Sequence, residues 1–189
     1  MILDLSEDGR FAVISAFRVP QATNPSVTLK ELRAAVPGSE IQFLDGERVA
    51  GKEHLEIAAI NASHAFKSGI NIARSLAMET LLYASAQRQI AAAIANIGVT
   101  QESKTVGLIA FSETEKDARV LEDRIAQIIR VELNEELLEE WSGEKARNIA
   151  AVYGISATEL DAIKMPRQEI EKAIKKAVVE RVALLSTRI

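Results

Sequence analysis

GERVAGKEHLEIAAINASHAFKSGINIARSLAMETLLYASAQRQIAAAI, running from Gly46 to Ile94, decides how this chain is read. Leu55, Ala58, Ala59, Ala62 and Phe66 recur at the three- and four-residue intervals of one helical face, so a helix is expected from about Gly51 to Phe66. Lys67-Ser68-Gly69 stops it. Further helices are expected from about Ser75 to Ala84 and from Gln87 to Asn96, closed by Gly98. Set into this apolar stretch are Asn71, Arg74, Gln87, Arg88 and Gln89. A buried polar group without a hydrogen-bond partner costs roughly 1–3 kcal/mol. Each of these groups must therefore find a partner inside the fold or face a ligand.

Outward from this block, FAVISAFR (Phe11 to Arg18) is β-rich and bounded by Gly9 and Pro20, which predicts a strand. Pro20 to Pro25 reads as a loop, Thr28 as the cap of a short helix through Ala35, and Pro37-Gly38 as its end. Ile41 to Leu44 is a short strand, and TVGLIAF (Thr105 to Phe111) a buried one. Ser112 or Thr114 caps a helix to about Val131, with Val120, Leu121, Ile125, Ile128 and Ile129 inward. The acidic segment Glu132 to Trp141 either extends that helix or forms another. Ala146 to Tyr153 is helical and stops at Gly154; Ser156 with Glu159 makes a capping box for a short turn, and Pro166 opens a last helix from Arg167 to about Ser186. Strands interleaved with helices predict one α/β (mixed α+β) domain over residues 1–189, with a small mixed sheet flanked by several helices.

Composition narrows the function classes. With 189 residues, 48% hydrophobic but only 4% aromatic, one core built of Ala, Ile, Leu and Val is expected. There is no cysteine, so disulfides, thiolate metal sites and a cysteine nucleophile are excluded. No leader-like start or long uncharged apolar run is present, and a soluble, cytoplasmic protein with no membrane contact is expected. The net charge of -4 argues against a broadly basic nucleic-acid-binding surface, so any RNA contact should be local. Charge is uneven: Glu132, Glu135, Glu136, Glu139, Glu140 and Glu144 crowd one segment, while Arg167, Lys172, Lys175, Lys176, Arg181 and Arg188 dominate the last helix. Both runs also read as solvated helix faces.

Gly46-x-x-x-x-Gly51-Lys52 has the context of a phosphate-binding loop, following a strand and opening a helix. Glu53, however, replaces the hydroxyl residue that would hold magnesium, and Glu47 and Val49 make a poor cradle. A nucleotide-binding protein or enzyme built on this turn is the alternative reading; an ordinary glycine turn with Lys52 exposed is the simpler one. His54 and His64, ten residues apart on one helix, stand about 80° apart in projection and nearly three turns apart, too far to share a metal. Nothing assembles an active site or a cofactor site.

The phrases VAGKEHL (Val49 to Leu55), NIARSL (Asn71 to Leu76), LLYASAQRQI (Leu81 to Ile90) and ERVALL (Glu180 to Leu185) resemble, in order, those of the TPRKB-type subunit of the KEOPS complex, which makes threonylcarbamoyladenosine in tRNA. Ala77 and Ala86 stand where many relatives have glycine, changes a helix favours by up to about 1 kcal/mol. The resemblance implies a non-catalytic subunit that binds the complex's atypical kinase, supports its activity and helps recruit tRNA by its unpaired CCA end. Guanidinium and amide groups suit phosphates and base edges. Lys67, Asn71, Arg74, Arg88 and Gln89 are therefore the tRNA-binding candidates, on the expectation that two short antiparallel helices bring them together. The bland reading makes Asn71 a cap and Arg88 a partner of Glu79 or another acid. On the last helix, Ile170, Ile174, Val178, Val182 and Leu185 form an apolar stripe. It fits either the core or, given the resemblance, the kinase contact.

Overall fold

The computed structural model describes residues 1–20, 25–36, 38–156, 158–159 and 167–187. Four strands and, among these residues, seven α-helices follow one another: β1 (Ile2–Leu5), β2 (Arg10–Arg18), α1 (Pro25–Ala35), β3 (Glu40–Asp45), α2 (Lys52–Lys67), α3 (Leu76–Ala84), α4 (Ile90–Ile97), β4 (Thr105–Ser112), α5 (Glu115–Ile129), α6 (Gly143–Tyr153) and α7 (Arg167–Ala183). The mixed α+β class is as expected. The sheet runs β1-β2-β4-β3, and every ladder is antiparallel, so neighbouring strands alternate in direction and the pairing is not mixed.

Period-two alternation sorts the strands into two faces. Ala12, Ile14, Ala16, Leu44, Ile109 and Phe111 join a core with residues of α2, α3, α6 and α7. Val13, Phe17, Phe43, Val106, Leu108 and Ala110 join a second core with Leu32 of α1 and with Ala118 and Ile125 of α5. Helices on both faces explain why TVGLIAF is apolar throughout rather than alternating.

Several boundaries move. β1 was not expected; its four residues pair Ile2 with Val13 through Leu5 with Arg10. α1 begins at Pro25, before Thr28, since proline's fixed φ suits a first helical turn. α4 begins at Ile90, because Ala86 takes a positive φ of 52° and Ser85–Gln89 forms a turn. The acidic segment is neither an extension of α5 nor an α-helix: Glu135–Glu139 is a 3₁₀ turn capped by Asn134, whose side chain accepts from the Glu136 amide at 2.9 Å. Val120 points outward at 58% exposure, against expectation. It lies about 140° around the helix from buried Ile125. Glu159 donates its amide to Ser156 Oγ at 3.0 Å, half of the expected capping box, while Pro166 and most of the turn after Ser156 lie outside the described residues.

Candidate functional site

The loop from Ser68 to Ser75 joins α2 to α3, and its shape is set by one buried acid. Glu79, 1% exposed, accepts the amides of Ile72 at 3.0 Å and Ala73 at 2.6 Å through a single carboxylate oxygen. Ser75 caps α3, accepting from the Met78 amide at 3.3 Å, and Glu40 accepts from the Ala77 amide at 2.9 Å. The cap expected of Asn71 is thus made by Ser75; Asn71 Nδ2 instead donates to the Ala73 carbonyl at 2.9 Å. Arg74, at the end of this loop, is exposed.

Arg88 and Gln89 are also exposed, but they follow α3, whereas Asn71 and Arg74 precede it. Nine helical residues, about 13 Å of axis, separate the two groups, so they lie along α3 rather than at one end. Arg88 faces Tyr83: burial raises the Tyr83 phenol, Glu79 adds to that, and the Arg88 charge opposes it. Lys67 stands apart at the end of α2, where it donates to the Glu7 carbonyl and pairs with Asp8 at 3.3 Å.

Beneath the Ser85–Gln89 turn lies a buried knot that the sequence did not announce. His54 Nδ1 accepts the Ala50 amide at 3.1 Å, which leaves the proton on Nε2, facing the Ala84 carbonyl at 2.8 Å. Tyr153 Oη donates to the same carbonyl at 2.7 Å. Its 3.3 Å approach to His54 Nε2 therefore sets two donors side by side around one acceptor. Burial, outweighing the Ala84 hydrogen bond, holds His54 down to about 4 and keeps it neutral. Next to the knot, a recess of about 240 Å³ is lined by Ser85, Gln87, Tyr153, Gly154 and Arg181.

The Gly46–Lys52 turn is occupied from within. Glu139 Oε1 accepts the Lys52 amide at 2.7 Å, and Oε2 takes the Lys175 ammonium. Lys52 Nζ pairs with Glu136 at 2.6 Å rather than lying free. A phosphate approaching the start of α2 would meet this carboxylate first, which weighs against the nucleotide alternative. Lys145, 3% exposed, donates to the Leu138 carbonyl at 2.8 Å, and it and Lys175 each stand 5.7 Å from the centre of the Trp141 ring. Burial pulls Lys145 down to about 8. The last helix is also less freely basic than its composition suggests, since Arg181 pairs with Glu159 at 3.1 Å and Lys175 with Glu139. Among the described residues no three His, Cys, Asp or Glu side chains gather to hold a metal, and no helix is long and apolar enough to cross a membrane.

The α7 stripe faces inward. Ile174, Val178, Val182 and Leu185 are at most 2% exposed, and Ile170 packs partly buried against the same core. Side chains that close the core offer no surface to a partner, so the kinase contact expected of this stripe is corrected to a packing role. The exposed apolar side chains lie elsewhere, including Ile90 and Ile94 on α4.

A search of the curated proteins finds no match. Residues 20–186 match the family model described as kinase binding protein CGI-121, which spans most of the chain, and the protein belongs to that kinase-binding family.

Proposed function

We propose that this chain is a non-catalytic, cytoplasmic accessory subunit of a KEOPS complex. It binds the complex's atypical protein kinase, supports the ATPase activity of that subunit, and helps recruit tRNA through the unpaired CCA end for threonylcarbamoyladenosine modification elsewhere in the assembly. Membership of the kinase-binding family supports the first part. The four ordered phrases, from Val49 to Leu185, support the rest.

The observation that carries the RNA reading is the Ser85–Gln89 turn: exposed Arg88 and Gln89 beside a polar recess, with Arg74 exposed at the other end of α3. Arg74 and Arg88 stand at opposite ends of the buried helix α3, two separate contact points of which one suits phosphate and the other stacking on a base. Asn71 supports the loop, and Lys67 adds positive charge already shared with Asp8.

The test is binding of the purified protein to full-length tRNA and to the same tRNA lacking its CCA end, at two salt concentrations. CCA-dependent binding, lost in Arg74→Ala with Arg88→Ala, is the expected result. Equal binding of both RNAs by the wild-type protein removes the RNA-recruiting part and leaves kinase binding standing.

A further inference from the structure

Scattered exposed apolar side chains are normal on any protein surface. Val27 lies on α1 with exposed Lys30 and Glu31, and Val120 on α5 next to exposed Arg119. The helix α4 differs. Its sequence, IAAAIANI, holds no ionisable residue, the only described α-helix of which that is true. Ala93 and Ile97 are fully buried and fasten one side of it, chiefly against α3. Ile90 at 42% and Ile94 at 50% exposure, with exposed Ala91 and Ala95, occupy a continuous arc of about 140° on the other side.

We infer that this outer arc of α4 is the surface on which the kinase docks, an assignment that rests on the kinase-binding reading above. A contiguous uncharged arc on an otherwise charged protein marks a contact surface. Its partner class is given by the family to which the chain belongs. The arc is also held rigid: Arg48 Nη1 donates to the carbonyls of Ala95 at 3.0 Å and Asn96 at 2.7 Å, fixing the last turn from the neighbouring loop. A partner therefore meets a preformed face with little ordering left to do. Ile90 and Ile94, four residues apart, form one ridge, and Ala91 and Ala95 the shallow groove beside it. The kinase surface that fits is an apolar helical ridge with no charge at its centre. Arg88 and Gln89, just before the helix, leave a polar rim next to the arc, so one side of this face remains open to RNA while the kinase is bound.

The experiment measures binding of the full chain to the purified atypical kinase subunit from the same genome, by calorimetry. It compares wild type, Ile94→Glu, Ile90→Ser with Ile94→Ser, and Val120→Glu as a surface control. All three variants change only exposed positions, and unchanged thermal unfolding confirms that each is folded. Both α4 variants should bind the kinase at least about 30-fold more weakly, with Val120→Glu unchanged and tRNA binding retained. Wild-type affinity in the α4 variants overturns the docking assignment while leaving the kinase-binding reading intact. Failure of the wild-type chain to bind the kinase overturns both.

Discussion

Glu139 Oε1 accepts the Lys52 amide at 2.7 Å, so α2 is capped by a carboxylate 87 residues further along the chain. Burial on its own would raise the Glu139 carboxyl; the Lys175 ammonium and the Lys52 amide together outweigh it and hold the group below its ordinary 4.5. A carboxyl held low in the folded state adds stability that is present above the unfolded pKa and fades as pH falls through the folded one. Glu139→Gln should lower stability at neutral pH by about 1–2 kcal/mol and flatten the acid limb below about pH 4.5. Urea unfolding over a pH series checks both.

Gly51, with φ at +107° and ψ at -178°, occupies backbone space that only glycine enters easily, and a Cβ there would stand 2.8 Å from Glu139 Oε1. Gly51→Ala is expected to lose about 2 kcal/mol or more of stability. In a Glu139→Ala background the contact with the carboxylate disappears, but the backbone strain and a 3.2 Å approach to Lys175 Cε remain. A double-mutant cycle should therefore show partial, not full, relief.

His54 is neutral and buried, with its pKa lowered from 6.5 to about 4. Between those values the unfolded chain binds the extra proton and the folded one does not, so stability rises with pH across this window and is fully present above 6.5. The span amounts to roughly 3 kcal/mol. His54→Phe should remove that slope and also destabilise at neutral pH, because the Ala50 amide loses its acceptor.

Lys145 carries a pKa of about 8 beside Trp141, the single tryptophan of the chain. Below that pH the ammonium is charged in both states. Between about 8 and the ordinary 10.5 only the unfolded chain keeps its proton, so stability rises with pH there. Tryptophan fluorescence should titrate with a midpoint near 8, and Lys145→Met should abolish the transition at little cost in stability.

Glu79→Ala should destabilise by about 2–4 kcal/mol, since the Ile72 and Ala73 amides would both be left without an acceptor. Arg74→Ala, at an exposed position of the same loop, should change stability by less than about 0.5 kcal/mol. Thermal unfolding of the two variants separates the residue that shapes the loop from the one it displays.

The elements of this fold were legible wherever a pattern ran long enough. The α2 stripe and the apolar run of β4 could be read directly, while the four residues Ile2–Leu5, one of them Asp4, were too few to declare a strand. The last helix and α4 show a limit of another kind. The stripe on α7 and the apolar run of α4 look equally buried as strings, yet the first closes the core and the second stands half exposed. Hydrophobicity tells which side chains leave water in some context, not which neighbour covers them. The polar residues were harder still. Arg74, Arg88 and Gln89 stood out as interruptions and proved exposed. Glu79, Glu139, His54 and Lys145 act through backbone groups distant in sequence or a turn away, and no spacing rule marks such partners.

The Ala84 carbonyl bears on where a helix can end. An oxygen has two lone pairs, and in a continuing α-helix one would receive the amide of Arg88. Here His54, thirty residues earlier, and Tyr153, 69 residues later, occupy both. The apolar stretch from Leu76 to Ile97 could propagate as one rod on propensity alone. Instead it breaks at Ala84, and the break turns Arg88 and the uncharged helix after it outward. The interruption that leaves the outer face of α4 uncovered thus joins the left-handed turn at Ala86 to an imidazole and a phenol, distant in sequence, that saturate a single oxygen.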